Sequence, residues 1–89
     1  MITITITKSA KYFGYIIWSK QQNSQIVKLL NGVKKIRLFF NNIDLGEKNV
    51  DWKYHRISIG YRLTRGIPEN TENYILTLKE NNILKVNCK

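Results

Sequence analysis

Between Lys11 and Trp18 the chain reads K-Y-F-G-Y-I-I-W, a cation followed by aromatic rings at alternate places. Alternate residues of a strand share a face. A strand here puts Lys11, Phe13, Tyr15 and Ile17 on one side and Tyr12, Gly14, Ile16 and Trp18 on the other. Flat rings beside an ammonium group are chemistry for a single-stranded nucleic acid, because bases stack on the rings at about 1–3 kcal/mol each while the charge meets phosphate. A second set lies in K35-I-R-L-F-F40. There Ile36, Leu38 and Phe40 point one way and Lys35, Arg37 and Phe39 the other, and a guanidinium plane stacks as well as pairs. Lys8 and Arg56 join Lys11 and Lys35 as candidates to steady phosphates. Trp52, within W52-K-Y-H-R56, reads equally as a clamp on a strand end or as a plug in the mouth of a barrel.

Few residues are suited to catalysis. His55 is the only histidine, and its phase groups it with apolar Ile57, as expected of a satisfied, half-buried side chain. General acid–base work needs a paired carboxylate, nucleophile or metal beside it. Asp44, Glu47 and Asp51 share one stretch without a second acidic cluster, a poor cage for a hard cation. Cys88, the single cysteine, forms no internal disulfide and no metal site alone. No enzyme activity, metal or cofactor is expected.

Charge bears on the partner. Fifteen Lys and Arg oppose six Asp and Glu among 89 residues, a net +9, which draws polyanions and speeds their encounter. An AT-rich coding sequence also accumulates Lys, Asn and Ile without regard to function. A membrane surface is disfavoured because no long amphipathic helix with a basic face is evident. No stretch approaches the ~20 apolar residues of a membrane span. The alternating start does not read as a signal peptide, and a cytoplasmic protein is the simplest expectation.

The elements that position these residues are short. I2-T3-I4-T5-I6-T7 alternates and is β-branched throughout, a strand, and residues 11–18 read as the next. Ile26, Leu29, Leu30 and Val33 recur at helical spacing, with Ser24 as N-cap and Asn31-Gly32 as stop, so a short helix or a long loop fills residues 19–34. Strands follow at 35–40 and 54–63, separated by an Asn-, Asp- and Gly-rich loop at 41–52. Gly66 and Pro68 mark a loop over 64–72. Strands at 74–78 and 83–87 flank Asn81-Asn82, residues that tolerate a tight hairpin turn. So many short strands suggest a small barrel, which removes edges by closure.

The order of motifs resembles the cold-shock domain, a five-stranded barrel of the OB type. That family's K-G-F-G-F-I element is similar to K11-Y-F-G-Y-I16, and its V-F-V-H-F-S-A-I element to I36-R-L-F-F-N-N-I43. Its G-P-x-A-x-N-V passage resembles R65-G-I-P-E-N-T-E-N73-Y74. The resemblance spans roughly residues 3–76. It implies base stacking on Phe13 and Tyr15, a phosphate near Lys11, and a second platform in which Arg37 stands for the family's Phe and Phe39 for its His. Tyr12 stands where the family has glycine, residues 19–34 exceed the family's loop, and residues 83–88 add a strand.

The expected fold is therefore mainly β: a single domain over residues 1–89, a small five-stranded OB-type barrel. A short helix or long loop is inserted between strands 2 and 3, and an extra hairpin strand ends the chain. The expected function is binding of single-stranded RNA or DNA with weak sequence preference, in an RNA-chaperone or regulatory role, as a monomer or weak dimer. The alternative is a protein-interaction module, a small regulatory or phage-type adaptor that turns the same aromatic and basic face toward an acidic protein.

Overall fold

The computed structural model, which describes residues 1–80 and 82–89, turns the Ile-Thr alternation into β1 (Ile2–Thr5). The next segment departs from expectation. Residues Lys8–Phe13 form a helix, α1, and only Tyr15–Ile17 form β2. Local capping outweighs the alternation of rings. The Thr7 hydroxyl accepts from Ala10 N at 3.1 Å, Gly14 ends the helix at φ 82°, and its N–H returns to the Ala10 carbonyl at 2.9 Å. A Thr N-cap followed by a Gly in the left-handed region frames a short helix at both ends. Ala10, small enough for close approach, is its buried residue.

Helix α2 (Asn23–Leu30) lies between the second and third strands, as expected, and buries Ile26 and Leu30. Asn31 closes it at φ 55°. Ser24 is not its cap; the helix is entered through Gln22, whose own N–H is held by the Ser19 hydroxyl at 3.1 Å. Strand β3 (Lys35–Phe40) buries Ile36, Leu38 and Phe40, in the expected phase.

Residues 41–52, expected as a loop, contain the longest strand of the fold, β4 (Ile43–Asp51). Asn41 and Asn42 hold φ of 48° and 69°, and Phe40 faces Ile43 across them. Two successive positive φ values are what a two-residue hairpin turn requires. The register slips between Arg37 and Phe39, where Gly46 at φ 74° absorbs a bulge. A Gly in this conformation is how a strand gains an extra residue without losing its partner.

The strand expected over 54–63 is also broken. Arg56–Ser58 forms β5, Gly60 turns at φ 99°, and Tyr61–Thr64 forms the single-turn helix α3. Strands β6 (Asn73–Glu80) and β7 (Ile83–Cys88) form the C-terminal hairpin. Of its expected turn, Asn82 holds φ 67° and Asn81 lies outside the described residues.

The seven strands make one mainly β, nearly closed, barrel-like sheet in the order β1-β6-β7-β3-β4-β5-β2, consistent with a small OB-like barrel. Its β3–β7 pair is parallel and its other pairs are antiparallel. Side chains bridge the two ends of the sheet: Tyr74 Oη on β6 donates to the Tyr15 carbonyl on β2 at 3.2 Å, and Gln22 Nε2, at the entry to α2, to the Thr3 carbonyl on β1 at 3.0 Å. Ile4, Ile16, Ile36, Leu38, Ile57, Tyr74, Leu76, Leu84 and Val86 fill the interior, and α2 covers it through Ile26 and Leu30. None of the described helices is long and apolar enough to cross a membrane.

Candidate nucleic-acid interface

Gly14 is the corner on which the site is built. Its carbonyl accepts from Ile59 N at 2.8 Å and Gly60 N at 3.2 Å, so the end of α1 lies directly on the chain entering α3. A Cβ at residue 14 would stand 2.8 Å from Gly60 Cα and closer still to neighbouring backbone atoms, and φ there is +82°. Thr64, fully buried, fastens the same junction by donating to the Lys11 carbonyl at 2.6 Å. The close approach lets α1, the start of β2, the segment before β5 and α3 present their side chains together.

What they present is a continuous ribbon of rings and guanidinium groups. Arg65 Cζ lies 4.5 Å from the ring centroids of both Tyr61 and Tyr12. Tyr12 meets Phe13 edge-on at 4.9 Å, and Phe13 stacks on Tyr15 at 5.9 Å with 22° between planes. Arg56 Cζ then lies 4.3 Å from the Tyr15 centroid and 4.9 Å from that of Tyr54, with Lys53 Nζ 5.3 Å beyond. Four of these rings are about half open to solvent or more: Tyr12 60%, Phe13 55%, Tyr54 54% and Tyr61 49%. Isolated exposed apolar residues are ordinary, but a contiguous patch marks an interaction surface. Arg65 is pinned in place, its Nε and Nη2 donating to the Tyr12 carbonyl at 3.3 and 3.1 Å. Asp51 Oδ2, 3.7 Å from Arg56 Nε, is the acid at this ribbon.

The structure brings together only part of the expected set. Phe13, Tyr15 and Arg56 meet in the ribbon. Lys8 and Lys11 flank it on α1, with Lys11 Nζ donating to the Pro68 carbonyl at 3.3 Å. Lys35, Arg37 and Phe39 stand elsewhere, because β4 and β5 separate β3 from β2 in the sheet. Two of them are engaged locally: Lys35 pairs with Glu47 at 3.7 Å, and Arg37 forms a two-pronged pair with Asp44 and lies over Phe39. The Arg37 hydrogen bond and the Gly46 amide hold the Asp44 carboxyl below its usual range. Trp52 packs edge-to-face on Trp18 at 5.9 Å and donates its indole N–H to the Val33 carbonyl at 2.9 Å, a half-buried ring set against the core.

Tyr12, Tyr54, Tyr61 and Arg65 belong to the ribbon and were not expected there. A strand phase assigns Tyr12 to the core, whereas a helix turns it outward. The pair Tyr61 and Arg65, four residues apart, carries the spacing of helix neighbours, but only once α3 is known to exist. Comparison of the chain with protein-family models, with curated proteins and with solved structures found no match. The cold-shock resemblance rests on the sequence motifs alone.

Proposed function

We propose that this protein binds single-stranded RNA or DNA with weak sequence preference, the bases stacking along the ribbon from Tyr61 to Tyr54. One observation carries the reading: five rings, four of them exposed, and two guanidinium groups follow one another in contact without a break, in a chain of net charge +9. Rings supply sequence-tolerant platforms because every base has a π-face, and cations along the track meet the backbone. Lys8, Lys11, Arg56 and Arg65 are the cations along the track. Lys35, Arg37, Phe39 and Trp52 are left out of it, since their partners lie within the fold. An RNA-chaperone or regulatory role in the cytoplasm accords with this mode of binding, and no catalysed reaction is assigned.

Fluorescence anisotropy of labelled dT and U oligomers across a salt series tests the proposal. If four phosphates are neutralised, log K falls against log salt with a slope of about −2.8. The absence of binding at low salt overturns the reading in favour of a protein partner, for which exposed Tyr and Arg would serve as hot spots.

A further inference from the structure

Beyond Tyr12, at the Arg65 end of the ribbon, the surface opens into a cleft of about 1040 Å³. Its walls are the end of β1, one face of α1 and the loop over residues 65–73. Helical spacing explains the α1 wall: Lys8, Lys11 and Tyr12 stand at i, i+3 and i+4 and share a face. The bond from Lys11 Nζ to the Pro68 carbonyl holds the opposite wall against it. This cleft differs from the ribbon, whose Asp51 is paired with Arg56, in carrying carboxylates outside any ion pair among the described residues. Lys8, Lys11 and Arg65 line it together with Glu69 and Glu72, and neither glutamate takes part in an ion pair among the described residues.

Carboxylates beside a polyanion track are costly unless they meet hydrogen-bond donors. A phosphate offers none, and a base edge does. Carboxylates accept from base N–H groups, whereas Arg and Lys donate to guanine O6 and N7. Bases of a single strand are free to present their Watson–Crick edges. Guanine is the base with two adjacent donors, N1–H and N2–H, alongside the acceptors O6 and N7. It therefore complements a cleft lined by carboxylates and cations next to a ring. Uracil and thymine set a single donor between two carbonyls and turn acceptors toward the acids.

We infer that the cleft lined by Tyr12, Arg65, Glu69 and Glu72 seats one guanine of the bound strand, adding a base preference to an otherwise tolerant track. The inference rests on the proposed nucleic-acid function and is separable from it by experiment. Anisotropy titrations compare a dT oligomer with the same oligomer carrying one dG, one dC or one dA, for the wild-type chain and for Glu69→Gln with Glu72→Gln. A bidentate base contact predicts roughly tenfold tighter binding of the dG oligomer. The double variant loses that preference and binds plain dT no more weakly, as expected of a folded protein that has shed negative charge. Equal binding of all four oligomers within twofold, or a dG preference that survives in the variant, overturns the guanine site and leaves the ribbon standing. Failure of every oligomer to bind overturns the ribbon reading itself, and the guanine site with it.

Discussion

Tyr74 on β6 donates its phenolic O–H to the backbone carbonyl of Tyr15 on β2, at 3.2 Å. These strands lie near opposite ends of the sheet order, so this bond ties the near-closure of the barrel to a residue whose ring belongs to the exposed ribbon. The Tyr74 ring is fully buried and meets Phe40 edge-on at 6.1 Å. Core and surface site are joined here through one hydroxyl.

Burial, and secondarily Cys88, push the Tyr74 phenol well above its ordinary value of 10.0. The consequence has a definite sign. Below pH 10 the phenol is neutral in both the folded and the unfolded chain, and its contribution is intact. Above pH 10 the unfolded chain releases a proton that the folded chain keeps, so stability falls by up to about 1.4 kcal/mol per pH unit. Urea denaturation at pH 9 and above reads this slope. Tyr74→Phe removes the Tyr74 part of the alkaline loss and costs about 1 kcal/mol near neutrality for the missing hydrogen bond.

Gly14→Ala combines two penalties, a left-handed φ and overlap with the Gly60 backbone. A cost of about 2–5 kcal/mol is expected in chemical denaturation. Gly32→Ala is the control, since residue 32 has φ +64° and nothing within 4 Å of an added Cβ. It carries the backbone penalty alone, about 1–2 kcal/mol. Equal costs at the two positions would remove the argument that close approach at residue 14 builds the site.

For binding, Phe13→Ala with Tyr15→Ala removes two platforms and is expected to cost about 2–6 kcal/mol. Tyr12→Ala, at a ring the strand reading assigns to the core, is expected to cost about 1–3 kcal/mol. Phe39→Ala on β3 leaves affinity for dT oligomers unchanged, because it stands outside the ribbon. An equal loss from Phe39→Ala and Tyr12→Ala would show that the ribbon is not the contact surface.

The Arg37–Asp44 pair provides an acid-range test. Because Arg37 lowers the Asp44 carboxyl below 3.8, the pair's contribution is present above that pH and fades as pH falls through the lower folded value. Both side chains are solvent-exposed, so the effect on stability is small. NMR titration of Asp44 reads it directly: the midpoint lies below 3.8 in the wild-type chain and moves upward in Arg37→Gln.

Several elements were legible from residues alone. Strands β1, β3, β6 and β7 follow from period-2 alternation, and α2 from apolar residues at helical spacing before Asn31-Gly32, because each pattern places one apolar face toward a core. The mainly β barrel class follows from their number and shortness. Strand β4 was hidden because D44-L-G-E-K-N-V-D51 is polar and Gly-bearing; it pairs as a strand because Asn41 and Asn42 turn the chain back onto β3, which supplies its hydrogen bonds. The Asn pair at 41–42 carries the same turn signal as the pair at 81–82, since asparagine tolerates positive φ.

For the candidate site, residue types supplied the material of the proposal: rings, cations and a large positive excess. Which rings stand together was decided by tertiary structure. Period-2 geometry grouped Phe13 and Tyr15 with Phe39 and Arg37, but pairing order inserts β4 and β5 between their strands. The ribbon forms instead where Gly14 permits two backbones to touch, bringing residues 12–15 against residues 54–65. Contacts between segments more than forty residues apart depend on the free energy of the whole packed chain, and no local pattern of residues encodes them.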